Sequence, residues 1–206
     1  MKELQFIKEI KSLNMPVFSI KEASTIIKKD NKYTSLYLSR LTERGEVGRI
    51  EKDKYYIKGT NPYAIASNIV YPSYLSMMSA FDYYKITTQN LSVIDIMTNL
   101  RHSVILNIDN YKIIFNKIPR RLMFGFYRSK EDGTFVAYIE KAIIDAILIG
   151  NLPFPYIEEA YENAKENGLI DESRLLSYAN RINSKDLDIR INELNKVTEE
   201  KNRPWS

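Results

Sequence analysis

The sequence of 206 residues predicts an α+β protein, in which a small helical N-terminal domain ending in a β-hairpin precedes a mixed α/β domain with antiparallel strands and C-terminal helices. Three observations predict this class. Residues 19–57 carry helical spacing and then two β-prone runs. Over residues 91–139 the apolar pattern is that of strands joined by tight turns. Over residues 140–195 the apolar residues again have the spacing of helices.

Two short helices open the N-terminal domain. Residues 2–13 place apolar side chains on one face, and Pro16 ends that segment. Ser19 is suited to cap a second helix, which carries Ala23 and three isoleucines on one side. Turn-forming residues at 29–32 then separate this helix from a third.

A third helix, a glycine and a β-hairpin are predicted to follow in this order. Leu38 and Leu41 face inward, and Gly45 lies just past the helix end, where a left-handed residue is favoured. Residues 47–50 and 54–57 are β-prone and flank a polar turn. Helix, turn, helix, glycine and hairpin in this order are typical of a winged helix-turn-helix, a module that inserts one helix into the major groove of DNA.

The turn cluster at residues 59–62 predicts a boundary between a domain of residues 1–60 and one of residues 61–206. A short connecting helix is expected over residues 62–70. Ser73 is the predicted N-cap of the next helix. Its apolar stripe, which we interpret as core packing, consists of Tyr74, Met77, Met78, Phe81 and Tyr84.

Strands are expected after residue 91. One covers residues 93–97, and the dipeptides Asp109-Asn110 and Asp132-Gly133 predict two hairpins. The expected hairpin strands are residues 104–108 with 111–118, and 122–127 with 134–139.

Helices are expected to complete the chain. Residues 140–149 are apolar almost all round, which is typical of a buried helix, and Gly150 ends them. Three further helices are expected over residues 156–167, from Asp171 and from Ser184, and residues 199–206 are expected to form a frayed tail.

Composition and charge limit the classes of function that the protein can have. The chain has no cysteine and a single histidine, which excludes disulfides, thiolate catalysis, zinc fingers and multi-histidine metal sites. Residues 1–60 hold 13 Lys/Arg and 8 Asp/Glu, or +5, whereas residues 61–206 hold 17 and 18, or −1. This basic excess favours phosphate contact by the first domain. No apolar run reaches the ~18 residues that span a membrane, and the acid-bearing N-terminus is unlike a signal peptide, so a cytoplasmic protein without a membrane partner is expected.

In a winged helix, the side of the recognition helix that points away from the core faces double-stranded DNA. Arg40 can contact a guanine edge or a phosphate, and Leu36 a thymine methyl. The wing cations suit the DNA backbone. The predicted DNA-binding residues are Lys32, Tyr33, Ser35, Leu36, Tyr37, Ser39, Arg40 and Arg44 on the helix, and Arg49, Lys52 and Lys54 on the wing.

Three carboxylates allow a different interpretation. Asp95, Glu140 and Asp145 would have to converge, usually with a lysine, to form a metal-dependent nuclease. Lys141 and Asp145 lie four residues apart on one helix, so a structural ion pair explains them more simply. We therefore predict no catalytic residue, no metal site and no cofactor, and we interpret His102 as a surface residue at a strand start.

Two segments of the second domain resemble a known family. The first is Asn61-Pro62-Tyr63-Ala64-Ile65-Ala66 with residues 74–81, where Leu75-Ser76 and Ser79-Ala80 match the pattern Y-I-S-L-x-S-A-L. The second is residues 135–146, where Val136-Ala137 and residues 140–146 match the pattern V-A-x-P-E-R-A-L-L-D-A-L. Ile139 replaces the usual proline of that pattern and Lys141 the usual arginine. With the winged helix, they resemble the AbiEi family of antitoxins and predicted regulators of viral defence over about residues 20–195.

That resemblance implies a repressor of its own operon that is paired with a co-encoded toxin of the nucleotidyltransferase type. The residues themselves predict a sequence-specific DNA-binding transcriptional regulator. A stand-alone regulator, a nucleic-acid-processing enzyme and a protein-interaction adaptor stay open as alternatives. Residues 61–206 are nearly neutral and rich in tyrosine and methionine, which favours a regulatory role in partner recognition, homodimer formation or opposition to a toxin.

Overall fold

The structure is a computed structural model that describes residues 2–89, 91–102 and 105–201. Across these residues the fold is mixed α+β, with nine α-helices, a two-stranded sheet and a six-stranded sheet, so the predicted class is confirmed. We call residues 2–60 the N-terminal part and residues 61–201 the C-terminal part.

Three helices and a hairpin form the N-terminal part: α1 (Glu3–Ser12), α2 (Ile20–Ile27), α3 (Asn31–Glu43), β1 (Val47–Glu51) and β2 (Lys54–Ile57). The predicted cap of α2 is confirmed, because the Ser19 hydroxyl accepts a hydrogen bond from the Glu22 backbone N–H at 3.2 Å and the Glu22 carboxylate accepts one from the Ser19 N–H at 2.7 Å. Asp30 caps α3, so the turn is shorter than predicted and Lys32 is already helical.

A small core joins these elements. Leu38 and Leu41 of α3 are buried, as predicted, and Thr34 is buried beside them. The cluster consists of Phe6, Ile10, Phe18, Ala23, Ile27, Leu38, Leu41, Val47, Tyr55 and Ile57. Helix α3 therefore turns one face inward and leaves the opposite face exposed.

The C-terminal part is built on a sheet of strand order β5-β6-β4-β3-β8-β7. Both predicted hairpins are confirmed, since β5 pairs antiparallel with β6, and β7 with β8. The predicted strand start at Val104 lies outside the described residues. The strands are β3 (Ser73–Leu75), β4 (Val93–Thr98), β5 (Ile105–Ile108), β6 (Tyr111–Lys117), β7 (Phe126–Arg128) and β8 (Phe135–Ala137).

Two pairings in this sheet are parallel, which the hairpin pattern did not predict. Strand β4 runs parallel to β6, and β3 runs parallel to β8. Strand β6 lies between β5 and β4, and its Ile113 and Phe115 are buried. Residues 120–122 form a 3₁₀ turn, so the strand expected over residues 122–127 begins only at Phe126.

Ser73 does not begin a helix, contrary to the prediction. The connecting helix α4 (Pro62–Asn68) forms as expected, but Ser73 opens strand β3, and helix α5 (Met77–Tyr83) follows only after Ser76. Tyr74 is therefore a fully buried residue of a strand that is hydrogen-bonded on both sides, to β4 and β8. A buried strand followed directly by a buried helix gives the same apolar spacing as one helix, and only the pairing partners distinguish them.

Four helices complete the described chain: α6 (Ile139–Ile149), α7 (Phe154–Glu166), α8 (Glu172–Ile182) and α9 (Lys185–Lys201). As predicted, α6 is buried and Gly150 ends it with a φ of 66°, and Asp171 caps α8. Helix α6 packs against α5, α7, α8 and α9. Helix α9 continues through the predicted tail as far as Lys201, and residues 202–206 lie outside the described chain.

Candidate nucleic-acid interface

The exposed face of α3 carries five of the predicted DNA-binding residues. They lie opposite the buried side that contains Thr34, Leu38 and Leu41. Leu36 leaves 54% of its surface exposed, which is a large apolar area on the side of a helix that does not face the core. The five residues are Lys32, Ser35, Leu36, Ser39 and Arg40.

Tyr37 lies on the flank of α3 rather than on this exposed face. Its ring packs edge-on against Phe6 of α1, with centroids 5.6 Å apart, and lies parallel to the ring of Tyr33 at 6.5 Å. Its hydroxyl is buried and has no hydrogen-bond partner among the described residues. Burial, followed by the charge of Glu3, raises the pKa of this hydroxyl. The helical spacing did not predict this because α1 covers a second side of α3.

The structure separates the predicted cations into paired and unpaired groups. Arg44 is held by Glu3 at 2.8 Å, and Lys54 by Glu51 at 2.6 Å. In the described chain, the cations without an acidic partner within 4.0 Å include Lys32, Arg40 and Lys52.

Arg49 occupies an intermediate position on the β1–β2 hairpin. Its Nε donates to the Glu51 carbonyl at 3.3 Å, and its guanidinium lies 5.8 Å from the ring centroid of Tyr55. The guanidinium therefore keeps donors available to a ligand while its stem is fixed along the strand.

Two residues near the α3 face were missed at the sequence level. Lys29 stands 5.9 Å from the ring centroid of Tyr33 and adds a cation at the start of α3. Glu43 accepts a hydrogen bond from the Ser39 hydroxyl at 3.4 Å, so it places an acid at the end of the same face. Its spacing of four from Ser39 and seven from Leu36 would have predicted this position.

The hairpin is fixed beside α2. Asp53 adopts a left-handed conformation in the turn, with a φ of 60°. Its carboxylate accepts a hydrogen bond from the Ile20 backbone N–H at 2.8 Å, which satisfies one of the unpaired donors at the start of α2. The turn that carries Lys52 is therefore held at a defined distance from the two helices.

His102 connects the hairpin to the C-terminal part, so its predicted role as a surface residue is wrong. Its side chain is only 14% exposed, its ring centroid lies 4.5 Å from that of Phe115, and its Nε2 is 3.4 Å from Glu51 Oε2. Burial acts to raise the pKa of Glu51, but Lys54 and His102 together hold that pKa below its usual value. His102 thus links the hairpin to strand β6.

The three carboxylates considered for a nuclease have different partners. Asp95 accepts a hydrogen bond from Asn116 at 3.2 Å, and burial raises its pKa. Glu140 accepts a hydrogen bond from the backbone N–H of Asp171 at 2.7 Å and lies 3.4 Å from Arg174. No group of three His, Cys, Asp or Glu side chains in the described chain is arranged to hold a metal ion.

The predicted pair of Lys141 and Asp145 is confirmed as an ion pair inside the core, where both side chains are almost completely buried. Asp145 also accepts hydrogen bonds from Tyr74 at 3.0 Å and Ser76 at 2.8 Å. Burial lowers the pKa of Lys141 and raises that of Asp145, although each charge opposes the shift in the other. The network joins α6 to strand β3 and the start of α5, so the two segments behind the family resemblance are in direct contact.

No protein-family model matches the chain, and no curated protein matches it in sequence. Within the described residues, no helix combines the length and apolar character that crossing a bilayer demands.

Proposed function

We propose that residues 1–60 form a winged helix-turn-helix and that the protein is a sequence-specific DNA-binding transcriptional regulator. In this proposal α3 enters the major groove and the β1–β2 hairpin is the wing. The observation that carries it is Arg40, which stands beside Leu36 on the exposed face of α3 and has no acidic partner within 4.0 Å in the described chain.

Three further features support DNA as the ligand. The basic excess of the chain lies entirely in residues 1–60, at +5. Lys32, Ser35 and Ser39 add a cation and two hydroxyls to the face of Arg40. The cations Arg49, on strand β1, and Lys52, in the turn, belong to a hairpin whose turn is fixed to α2 through Asp53. A cationic helix face flanked by a cationic hairpin is suited to the groove and the adjoining phosphates.

For the C-terminal part we propose an antitoxin-like regulatory role, which rests on the resemblance to the AbiEi family. The contact of Tyr74 and Ser76 with Asp145 supports it, because the matching segments form one buried unit rather than two unrelated matches. The expected partners are double-stranded DNA, a co-encoded nucleotidyltransferase-like toxin and a second copy of the chain. The proposed setting is the cytoplasm.

DNA binding is tested with the full chain by titrating it into a fluorescent duplex library at several salt concentrations and then selecting an operator. A winged helix that covers about three to five phosphates should give a log–log salt slope of roughly −3 to −5. Selection should enrich one sequence. Binding that does not change with salt, or that shows no preferred sequence after selection, would contradict the proposal.

The antitoxin role requires a separate experiment in cells. The product of the gene next to its own is expressed in cells, and growth is measured with and without co-expression of the chain. Rescue from a toxic nucleotidyltransferase supports the antitoxin, whereas a non-toxic neighbour supports the stand-alone regulator. The nuclease alternative would be favoured by Mg²⁺- or Mn²⁺-dependent DNA cleavage that is lost in both Asp95→Asn and Glu140→Gln.

A further inference from the structure

The end of the β1–β2 hairpin meets an acid from the C-terminal part. Lys58, the residue after β2, donates from Nζ to Asp109 Oδ1 at 2.5 Å and to the Tyr56 hydroxyl at 2.9 Å. Asp109 stands in the turn between β5 and β6, with a φ of 51°. The hydrogen bond to Asp109 raises the pKa of Lys58, so this lysine is positively charged and paired near neutral pH.

Tyr56 holds the hairpin against this acid. Its hydroxyl lies 3.3 Å from Asp109 Oδ1, and its ring is buried in the larger core together with residues of the C-terminal part. Gly48, directly opposite on β1, allows this, because a Cβ at that position would overlap the Tyr56 ring. The contact between Lys58 and Asp109 is therefore built into the packing of the two parts.

Lys58 shares a cleft with Arg49, one of the predicted DNA-binding residues. One wall comprises Thr42 and Gly45 at the end of α3 with Arg49 on the hairpin, and the other comprises Asn107 and Asp109. The side chains of Lys58 and Asp109 are both about half exposed. A half-exposed ion pair contributes little to folding stability. The pair nevertheless weakens the attraction of Lys58 for a phosphate, because the Asp109 carboxylate cancels the field of the lysine.

We propose that Asp109 is an acidic brake on DNA binding: the C-terminal part uses it to withhold Lys58 from the phosphate backbone. This inference rests on the proposed DNA-binding function and deepens it, because it assigns a regulatory residue to the second part of the chain. Displacement of the β5–β6 turn releases one additional cation beside Arg49 and the end of α3. DNA affinity then rises without any change in the residues that read base edges.

The test measures the salt dependence of duplex binding by the full-length Asp109→Asn variant. The released lysine should make the log–log slope more negative by about 0.9, so that a fourfold rise in salt costs the variant three- to fourfold more affinity than it costs the wild type. Asp132→Asn is the matched control. Asp132 accepts a 2.7 Å hydrogen bond from Asn61 and lines a cavity together with Ile57 of the N-terminal part. Its neutralisation changes the net charge equally without releasing a lysine.

A second variant tests whether the gain passes through Lys58. Lys58→Met should change the slope of the wild type little but should abolish the gain in the Asp109→Asn background, a coupling that a general change of charge or stability does not produce. If Asp109→Asn equals Asp132→Asn, or if its gain survives Lys58→Met, the brake is overturned while DNA binding stands. If the wild-type protein shows no salt-dependent DNA binding, the proposed function fails and the brake fails with it.

Discussion

The guanidinium of Arg44 forms an ion pair with the carboxylate of Glu3 at 2.8 Å, across 41 residues of sequence. This contact lies on the side of α3 that faces α1, close to the partly buried ring of Tyr37. Arg40, one turn earlier, has no such partner in the described chain. Arg40 on α3 and Arg44 just after its end therefore differ in their availability to a ligand, although the sequence predicts both among the DNA-binding residues.

Arg40→Ala should lower the affinity for the selected operator by about 1–3 kcal/mol and relax the preference at one base position, because a bidentate contact to a base edge is lost. Fluorescence anisotropy on the operator and on single-base variants measures both effects. Arg44→Ala is the matched control on the same helix. It should cost less affinity and leave the base preference unchanged, since Glu3 already occupies its guanidinium. Equal losses in both variants would remove Arg40 from the readout.

Tyr37→Phe should leave DNA affinity unchanged and should keep or slightly raise the free energy of unfolding. The hydroxyl is buried without a partner, so its removal relieves a desolvation cost of about 1 kcal/mol or more and breaks no hydrogen bond. Chemical denaturation and anisotropy check the two parts of this expectation. Tyr37→Ala, in contrast, should destabilise the protein because the contact with Phe6 is lost. A large drop in DNA affinity for Tyr37→Phe would show that the hydroxyl turns toward phosphate.

Asp145→Asn should lower the free energy of unfolding by about 3–5 kcal/mol, because it leaves Lys141 buried without a counter-charge. Lys141→Met in the same background removes that charge and should recover part of the loss. Asp188→Asn, on the exposed surface of α9, makes the same chemical change and should stay within about 0.5 kcal/mol of the wild type. Urea denaturation of the four proteins gives the comparison, and an Asp145→Asn variant as stable as Asp188→Asn would contradict it.

Gly48→Ala should lower the free energy of unfolding by about 1–3 kcal/mol, because the added methyl displaces the Tyr56 ring from the interface between the two parts. In a Tyr56→Ala background the same substitution should cost clearly less. The difference between the two costs, measured by denaturation, is the coupling of the two residues. Independent, additive effects would show that the ring does not need the space above Gly48.

Local signals predicted several helix ends well. The Ser19 and Asp171 caps and the Gly150 stop depend on backbone groups within a few residues, and the same chemistry appears in the structure. Strand β3 could not be predicted in this way. Its three residues are buried, and the strands that pair with it lie more than twenty residues away, so the apolar spacing around Tyr74 is equally compatible with a helix.

The candidate interface was predicted as a helix face, and the exposed positions of Leu36 and Arg40 agree with that face. The sequence did not reveal which charges are already paired. Glu3, Asp109 and His102 reach the N-terminal cations or the hairpin from distant points in the chain, and no periodicity encodes such contacts. The electrostatic state of a surface follows from tertiary packing, whereas the identity of the exposed face follows from local spacing.

Strand β2 divides its side chains between two cores. Tyr55 and Ile57 point into the N-terminal core, and Tyr56, between them, points into the C-terminal one, because successive strand residues face opposite sides. A single strand therefore carries packing for both parts, and heating should melt them in one cooperative transition. Neither part can therefore be exchanged for another domain without affecting the packing of the other part. A chimaera that joins residues 1–60 to an unrelated regulatory domain would expose an aromatic side chain, and its solubility would depend on what replaces the missing half of that interface.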